Sequence, residues 1–385
     1  MKRIPFKIVL KVALIGGLLA LTSIAQAKPI KVYILAGQSN MEGHAQTRTF
    51  PAIAKDPATK YLYDKIVGAD GEPRVFDDIW IEYAYGNFSG DPVGQRSGKL
   101  MAGYGSQHHV GTGKIGPELT FGISLQEHYD EPILLIKAAW GGKSLMVDFR
   151  PPSAGELEDH KHKDKAGRYY DLLIEHVKEV LGKTEGDYEL AGFVWFQGFN
   201  DMVGPYPRAD PSQGRRGAKD FSEYSRLLAC FIRDVRKDLN APELPFVIGV
   251  LGVGGKDAGA NAEAFRAGMA APAMADEFKT NVVNVFSEEY WPTEIDAVQE
   301  KVNRVKKTFS EQWKEVKQLE GDARKKAQEQ LKQEERAAIE AALTEDELFI
   351  LDKGVSNRGF HYYGSAKFFA QIGEAFARSL IELKQ

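Results

Sequence analysis

Cysteine is almost absent from this sequence, because Cys230 is the only one in 385 residues. A chain with a single cysteine cannot form an intrachain disulfide. Cys230 shares an apolar helical periodicity with Leu227, Leu228, Phe231 and Val235, which predicts a core position and not a nucleophile. We therefore expect neither a disulfide framework nor a catalytic cysteine.

The sequence also lacks the residue spacing that is typical of a metal site. No group of cysteines and histidines has the spacing of a zinc site. The dipeptide His108-His109 and the pair His160 and His162 lie in loop-like stretches, where histidines are expected at the surface. The sequence thus predicts no metal and no organic cofactor, with a metal role for these histidines as the alternative.

The sequence has only one long apolar run, Val12 to Ile24. Lysine and arginine precede it and Ala25-Gln-Ala27 follows it, which is the pattern of a secretory signal peptide with its cleavage site. The run is short for a membrane span, so an uncleaved anchor is the alternative. We expect export, to a periplasm or out of the cell, without stable membrane insertion after residues 1–27 are removed.

An excess of positive charge is also absent. The chain has a formal net charge of −4, and residues 1–27 contain four basic residues and no acidic one. Without that segment the chain has 46 basic and 54 acidic residues, a net charge of −8. Because phosphate contact needs a basic face, this composition argues against a nucleic-acid partner.

What the sequence does contain is an alternation of strand and helix patterns. Apolar strand-like runs occur at 31–36, 132–138, 190–196, 245–251 and 281–287. Helical patterns occupy 117–129, 168–181, 221–239 and 261–278. Near-continuous apolar strands between helices predict a parallel sheet covered on both faces. We expect an α/β fold with three α/β/α layers, about five strands in the flavodoxin-like order 2-1-3-4-5, and a single domain over 28–385.

Two regions interrupt this alternation. Residues 44–116 are rich in glycine, aspartate, proline and aromatics, and we expect a long loop insertion that lies over the site and helps to form a substrate cleft. A decorative surface insertion is the alternative. Residues 295–347 are dense in lysine, glutamate, glutamine and alanine, which predicts a charged helical hairpin broken near Gly321-Asp322, with its charges facing solvent.

The stretch from Lys31 to Gly43 is the first candidate for function. A buried strand is predicted to end at Gly37, and Gln38-Ser39-Asn40 follows at once. A serine just past the carboxyl end of a strand lies where open α/β sheets bind ligands. If a helix starts there, its first N–H groups favour negative charge that develops near the serine. Ser39 is therefore the candidate nucleophile, and a mere capping role for Ser39 or Asn40 is the alternative.

Three later stretches are similar to known sequence blocks: Ala139-Trp-Gly-Gly-Lys-Ser144, Trp195-Phe-Gln-Gly-Phe-Asn-Asp201 and Gly359-Phe-His-Tyr-Tyr-Gly-Ser365. With Gly37-Gln-Ser-Asn-Met41 they resemble, in the expected order, the blocks of the SGNH hydrolases. The likeness is to the sialate O-acetylesterase and acetylxylan esterase branch (carbohydrate esterase family 6-like). It spans about residues 31–377 and implies the SGNH hydrolase fold, the 2-1-3-4-5 order and a serine esterase of acetylated oligo- or polysaccharides.

The resemblance also implies roles for the other site residues. His361 lies where the family has its catalytic histidine, between a strand-like stretch at 348–351 and a C-terminal helix; a structural histidine is the alternative. Asn200 matches the family's Gly-x-Asn-Asp block, whose amide donates to the oxyanion. A backbone N–H of Gly141 or Gly142 and that of Ser39 would be the other two donors. Phe199 stands where much of this branch has glutamate, a departure that leaves the finer subfamily open.

One expected residue is missing. The family usually has an aspartate three residues before the histidine, and this chain has Arg358 there. Asp352 is the nearest upstream carboxylate and could substitute for it. A carbonyl could instead hold the ring, which leaves a Ser–His dyad. Because no periodicity brings Asp352 to His361, we favour the dyad.

The sequence is therefore interpreted as an exported carbohydrate O-acetylesterase. Two alternatives stay open. One is a non-catalytic carbohydrate-binding or interaction protein on the same fold, which the missing aspartate favours. The other is an SGNH lipase or thioesterase. The oligomeric state is not indicated by the sequence.

Overall fold

A computed structural model of the chain describes residues 28–87, 89–107, 113–157 and 161–385. The predicted signal peptide at 1–27, the dipeptide His108-His109 and His160 lie outside the described residues. In the described ranges, no helix is both long enough and apolar enough to cross a membrane.

A seven-stranded sheet organises the fold. The strands of the described residues are β1 (Ile30–Gly37), β2 (Ala45–Gln46), β3 (Val75–Gly86), β4 (Pro92–Met101), β5 (Lys114–Ile115), β6 (Ile133–Ala139), β7 (Tyr188–Phe196), β8 (Phe246–Val250) and β9 (Val282–Phe286). The sheet has the order β4-β3-β6-β1-β7-β8-β9, while β2 and β5 form a separate pair. All neighbours in the sheet are parallel except β3 and β4. Its part β6-β1-β7-β8-β9 is the expected 2-1-3-4-5 order.

Helices cover both faces of the sheet. Those of the described residues are α1 (Ser39–Glu42), α2 (Phe50–Lys55), α3 (Lys60–Ile66), α4 (Glu118–His128), α5 (Arg168–Lys183), α6 (Phe199–Val203), α7 (Ser222–Asp238), α8 (Ala260–Ala270), α9 (Thr293–Thr308), α10 (Ser310–Gln318), α11 (Gly321–Ala342), α12 (Glu345–Gly354) and α13 (Ala366–Glu382). Side chains alternate along β1 as a strand requires. Val32 and Ile34 pack with α5, α7 and α8, and Tyr33 and Leu35 pack with α4 and α13. The predicted three-layer α/β/α fold is confirmed.

Three of the four sequence blocks leave the sheet side by side. In the register of the parallel strands, Gly37 at the end of β1 lies opposite Ala139 of β6 and Phe196 of β7. A Cβ on Gly37 would lie 2.1 Å from the carbonyl oxygen of Phe196, so only glycine fits between the strands here. Parallel pairing therefore brings the segments that follow all three strands to one edge.

The region 44–116 contributes more regular structure than the expected long loop. Strands β3 and β4 extend the sheet beyond β6, and α2 and α3 pack in the core on the face covered by α4 and α13. Of the aromatic residues of this region, Tyr83 and Tyr104 are buried in the core that β1, α4 and α13 also form, while Trp80 and Tyr85 are partly buried. Polar side chains had suggested a loop, whereas an antiparallel edge pair leaves one face of each strand for such residues.

The charged region forms a series of helices, α9 to α12. The break between α10 and α11 lies at residues 319–320, next to the predicted position. Val298, Val302 and Ile339 form a small apolar cluster between α9 and α11.

The predicted strand at 348–351 is wrong, because this stretch belongs to α12. Thr344 and Glu347 form a reciprocal capping box that starts this helix, and a four-residue apolar run cannot by itself distinguish strand from helix.

Candidate active site

Ser39 begins α1 at the carboxyl edge of β1 and is 8% exposed. The N-cap of this short helix is Gln38, whose carbonyl accepts from the backbone N–H groups of Met41 and Glu42 at 2.8 and 2.9 Å. Neither Ser39 nor Asn40 caps the helix through its side chain. The capping alternative is therefore not what the structure shows, and the Ser39 side chain faces a cleft.

The cleft has a volume of about 530 Å³. It brings together five of the six predicted site residues: Ser39, Gly141, Gly142, Asn200 and His361. The region 44–116 adds His44, Ser89 and Lys114 to its walls. Segments more than 300 residues apart in sequence thus meet at one point beside the candidate nucleophile.

Asp352, the sixth predicted residue, is not among the residues that line the cleft. It lies on α12, where its carboxylate accepts from Arg336 Nη2 at 3.0 Å and is about half exposed. Its backbone carbonyl accepts from Arg48 at 2.8 Å. The structure therefore does not support Asp352 as a displaced triad acid, because helix α12 directs this carboxylate to a surface ion pair.

The ring of His361 is held by an amide instead. His361 Nδ1 lies 3.1 Å from Asn357 Oδ1. The same oxygen accepts from the backbone N–H of Arg358 at 2.7 Å. Because a backbone N–H can only donate, this contact fixes which end of the Asn357 amide is the oxygen. His361 then carries its proton on Nδ1, and its Nε2 is left as an acceptor.

Glycines shape the wall opposite Ser39. A Cβ built on Gly141 would lie 3.8 Å from Ser39 Cβ and 3.2 Å from Glu42 Oε2. Gly142 has a φ of +70°, a conformation that glycine adopts without strain. Asn200 Nδ2 donates to the carbonyl of Gly142 at 2.6 Å, so one of its two N–H bonds fixes the amide and the other is left to donate.

A buried polar network lies behind these donors. Gln38 Oε1 accepts from Gln197 Nε2 and from the backbone N–H groups of Gly198 and Asn200 at 3.1 to 3.3 Å. Asp201 accepts from four donors, namely Leu145 N, Met146 N, Gln197 Nε2 and Tyr206 Oη. Burial raises the pKa of Asp201, and its four donors oppose that shift. The network ties the segments after β1, β6 and β7 to one another.

Buried charges lie on the other side of Ser39. Glu42 is 1% exposed, and Lys137 Nζ donates to its backbone carbonyl at 2.9 Å and to Glu118 Oε2 at 2.8 Å. Burial lowers the pKa of Lys137 and raises that of Glu118, and each partner opposes the shift of the other. Burial also lowers the pKa of Lys114, and the charge of Glu42 opposes that shift.

Several site residues carried no role in the sequence analysis: Gln38, Glu42, His44, Lys114 and Asn357. Glu42 and His44 follow Ser39 within the same short stretch, and a tight turn after the strand was the signal that could have placed them nearby. Asn357 directly precedes Arg358, the position where the family usually has its aspartate. Nothing in its spacing from His361 indicated a contact with the ring.

A serine at the carboxyl edge of a parallel sheet of order 2-1-3-4-5, in one cleft with a histidine, an asparagine and a glycine pair, defines an SGNH hydrolase. The family model "Carbohydrate esterase, sialic acid-specific acetylesterase" matches residues 29–289, which is more than half of the chain. The chain therefore belongs to this carbohydrate esterase family. The match ends before the segment that carries His361.

Known proteins are similar at low identity. A probable carbohydrate esterase of Arabidopsis thaliana is 22% identical over 239 residues, which cover 59% of this chain and 71% of that protein. Its X-ray structure has a TM-score of 0.46 at 15% identity and covers 92% of this chain and 99% of its own. A carbohydrate acetylesterase of Xanthomonas citri has a TM-score of 0.40 at 15% identity, with 66% and 49% of the two chains covered.

Proposed function

We propose that this protein is an exported serine esterase that removes O-acetyl groups from carbohydrates through an acetyl-enzyme. The observation that carries the proposal is the single cleft in which Ser39, His361, Asn200 and the Gly141-Gly142 pair meet. Esterase chemistry on carbohydrates agrees with the family. The acetyl-enzyme, the acetylated glycan and the export are the proposed steps beyond it.

In the first half of the proposed reaction, Ser39 Oγ attacks the acetyl carbonyl carbon. His361 Nε2 takes the serine proton, since Nδ1 is occupied by its contact with Asn357. Negative charge then develops on the carbonyl oxygen. The backbone N–H of Ser39, a backbone N–H of Gly141 or Gly142 and the second N–H of Asn200 are the donors for that oxyanion.

In the second half, the carbon–oxygen bond to the sugar breaks. His361 gives its proton to the leaving sugar oxygen, and the acetyl group stays on Ser39. Water enters, loses a proton to His361 Nε2 and attacks the acetyl carbonyl; acetate leaves and Ser39 regains its proton. Every proton in these steps passes through His361, and water is the only co-reactant that they consume.

The sugar has room beside the reacting atoms. A second cleft of about 740 Å³ shares Gly142 and Asn200 with the catalytic cleft. Lys143 and Tyr206 line it with other polar side chains. We propose that the acetyl group lies in the 530 Å³ cleft and the glycan chain in the adjoining one.

The test is hydrolysis of p-nitrophenyl acetate and glucose pentaacetate by the chain that begins at Lys28, beside its Ser39→Ala variant. We expect turnover by the wild type, loss of nearly all of it in Ser39→Ala, and no effect of Ser310→Ala, which alters an exposed serine on α10. A folded wild type without turnover would favour the non-catalytic alternative. Faster hydrolysis of octanoyl than acetyl esters would favour a lipase or thioesterase.

Acetate release from acetylated xylan, acetylated sialic acids and other acetylated glycans identifies the substrate class. Export is tested separately, by expressing residues 1–385 in a bacterium and sequencing the N-terminus of the recovered protein. A mature chain that begins at Lys28, in the periplasm or the medium, is the expected result. Recovery of the uncleaved chain in the membrane would contradict it.

A further inference from the structure

Three polar side chains lie in series behind the catalytic histidine. Asn357 Oδ1 contacts His361 Nδ1 at 3.1 Å, Asn357 Nδ2 lies 3.4 Å from His44 Nδ1, and His44 Nε2 lies 3.5 Å from Glu42 Oε2. We call Glu42, His44 and Asn357 the relay. Glu42 and His44 are 1% and 7% exposed, so the series is nearly buried although all of its residues line the cleft.

The amide of Asn357 fixes the protons along the relay. The backbone N–H of Arg358 marks its oxygen, so its Nδ2 is the donor that faces His44 Nδ1. His44 Nδ1 is then an acceptor, and neutral His44 carries its proton on Nε2, facing Glu42. Each contact in the series thus places a donor against an acceptor, and the donors all point in one direction, from His361 toward Glu42.

The two imidazole rings are also stacked. The ring centroids of His44 and His361 are 3.9 Å apart and the rings are parallel within 2°. Two positive rings at this separation would repel each other strongly. The relay therefore requires His44 to be neutral when His361 takes the proton of Ser39.

Glu42 brings a carboxylate to the place where the chain needs one. The usual aspartate position is Arg358, and Asp352 is bound to Arg336 on the surface. Glu42 is the last residue of α1, the helix that Ser39 begins, and it lies beside His44 and within reach of the charges of Lys114 and Lys137. A histidine that becomes positive in the transition state is stabilised by a buried carboxylate nearby.

We propose that the relay replaces the missing triad aspartate: Asn357 aligns the His361 ring, and the buried Glu42 supplies the negative charge through His44. The inference rests on the proposed esterase function. Asn357, His44 and Glu42 are positioning residues, because they act through His361. Glu42 as a purely structural counter-ion of the two buried lysines is the competing explanation.

The first variants test whether Asn357 acts by orienting the His361 ring or only by filling space beside it. Asn357→Leu keeps the volume and removes the acceptor, and we expect kcat on glucose pentaacetate to fall by about 10², less than the roughly 10⁴ that the wrong tautomer costs in a full triad. Asn357→Asp restores an acceptor and should retain at least about a tenth of wild-type kcat. Equal losses in the two variants would overturn the alignment role.

The second variants test the histidine of the relay. His44→Phe keeps a flat ring against His361 and removes both nitrogens, and we expect kcat to fall by about tenfold with KM unchanged. Glu42→Gln should have a similar effect because it removes only the charge. His128→Phe alters an exposed histidine at the end of α4 and is the matched control. A change in KM alone, or no change, would contradict the relay.

A double-mutant cycle decides between a relay and separate structural effects. If His44 acts through Asn357, then His44→Phe should cost little more once Asn357→Leu is present. Fully additive losses would overturn the proposal. Circular dichroism and thermal unfolding confirm that each variant is folded.

Nitrogen-15 NMR of histidine-labelled protein gives a readout that does not depend on activity. We expect His361 as the Nδ1–H tautomer and His44 as the Nε2–H tautomer, with the His361 tautomer lost in Asn357→Leu. The opposite tautomers in the wild type would overturn the relay even if the esterase were active.

If Ser39→Ala and His361→Ala abolish turnover while the relay variants do not, the proposed function stands and this inference fails. If the folded wild type has no turnover, the proposed function fails, and the tautomers still test the alignment.

Discussion

The two sides of the cleft are built in different ways. The serine half consists of Gln38, Ser39, Gly141, Gly142 and Asn200, and all of these residues follow directly from strand ends in the sheet register. The histidine half consists of His44, Asn357 and His361. His361 lies in an irregular turn at Gly359–Gly364, far from any strand in sequence. Backbone pairing positions the first half, and side-chain contacts position the second.

The irregular turn is secured by its aromatic residues. Tyr362 and Tyr363 have φ values of +49° and +58°, which non-glycine residues rarely adopt. The Tyr362 ring stacks on Phe368 at 3.6 Å, and its hydroxyl accepts from the backbone N–H of Gly252 at 2.9 Å. Ser356 Oγ donates to Gly364 O at 2.7 Å. Tertiary contacts therefore hold a backbone conformation that the local sequence alone would not favour.

The largest effect should come from the histidine half itself. His361→Ala removes the only base that the proposed reaction uses, and we expect kcat to fall by at least about 10³. The measurement is turnover of glucose pentaacetate, with His128→Ala as the control on α4. An active His361→Ala enzyme would overturn the mechanism and leave the serine half as the only catalytic side of the cleft.

The next effect belongs to the serine half. Asn200→Ala removes one oxyanion donor, which usually costs about 10²–10³ in kcat. Because the donor acts mainly when charge develops, KM should change much less. Asn303→Ala, which alters an exposed asparagine on α9, is the control. If only KM rises, Asn200 binds the substrate and does not stabilise the transition state.

A smaller effect should follow when the support of the histidine turn is weakened. Tyr362→Phe leaves the buried N–H of Gly252 without its acceptor, and we expect the free energy of unfolding to fall by about 1–3 kcal/mol. The aromatic stack is retained, so kcat should fall by less than about tenfold. Chemical denaturation and turnover are measured beside Tyr188→Phe, an exposed tyrosine. Unchanged stability would show that the ring alone holds the turn.

The same contrast explains how far the sequence could predict the site. Ser39, Gly141, Gly142 and Asn200 follow apolar runs whose pairing is set by the parallel sheet, so recognising the strands was enough to bring them together. The Asn357 contact, the His44 stack and the conformation of Tyr362 depend on packing between distant segments. No local pattern encodes such packing. The stretch at 348–351 was assigned to a strand for a different reason: its apolar run was weighed without the capping box of Thr344 and Glu347, which is a local signal that a helix begins there.

The smallest effect should come from Asp352→Asn, and it tests whether the histidine half uses an ordinary carboxylate. The Asp352 side chain is about half exposed and bound to Arg336. Exposed ion pairs of this kind contribute about 0–1 kcal/mol to stability. We therefore expect kcat within about twofold of the wild type and a free energy of unfolding lowered by less than about 1 kcal/mol. Arg336→Gln should have the same small effects on kcat and stability, because it breaks the same ion pair from the other side.

A loss of about 10³ or more in kcat in Asp352→Asn, with Arg336→Gln unaffected, would restore Asp352 as a displaced triad acid. It would mean that α12 moves toward His361 when substrate binds, and the two halves of the cleft would then differ in mobility as well as in construction.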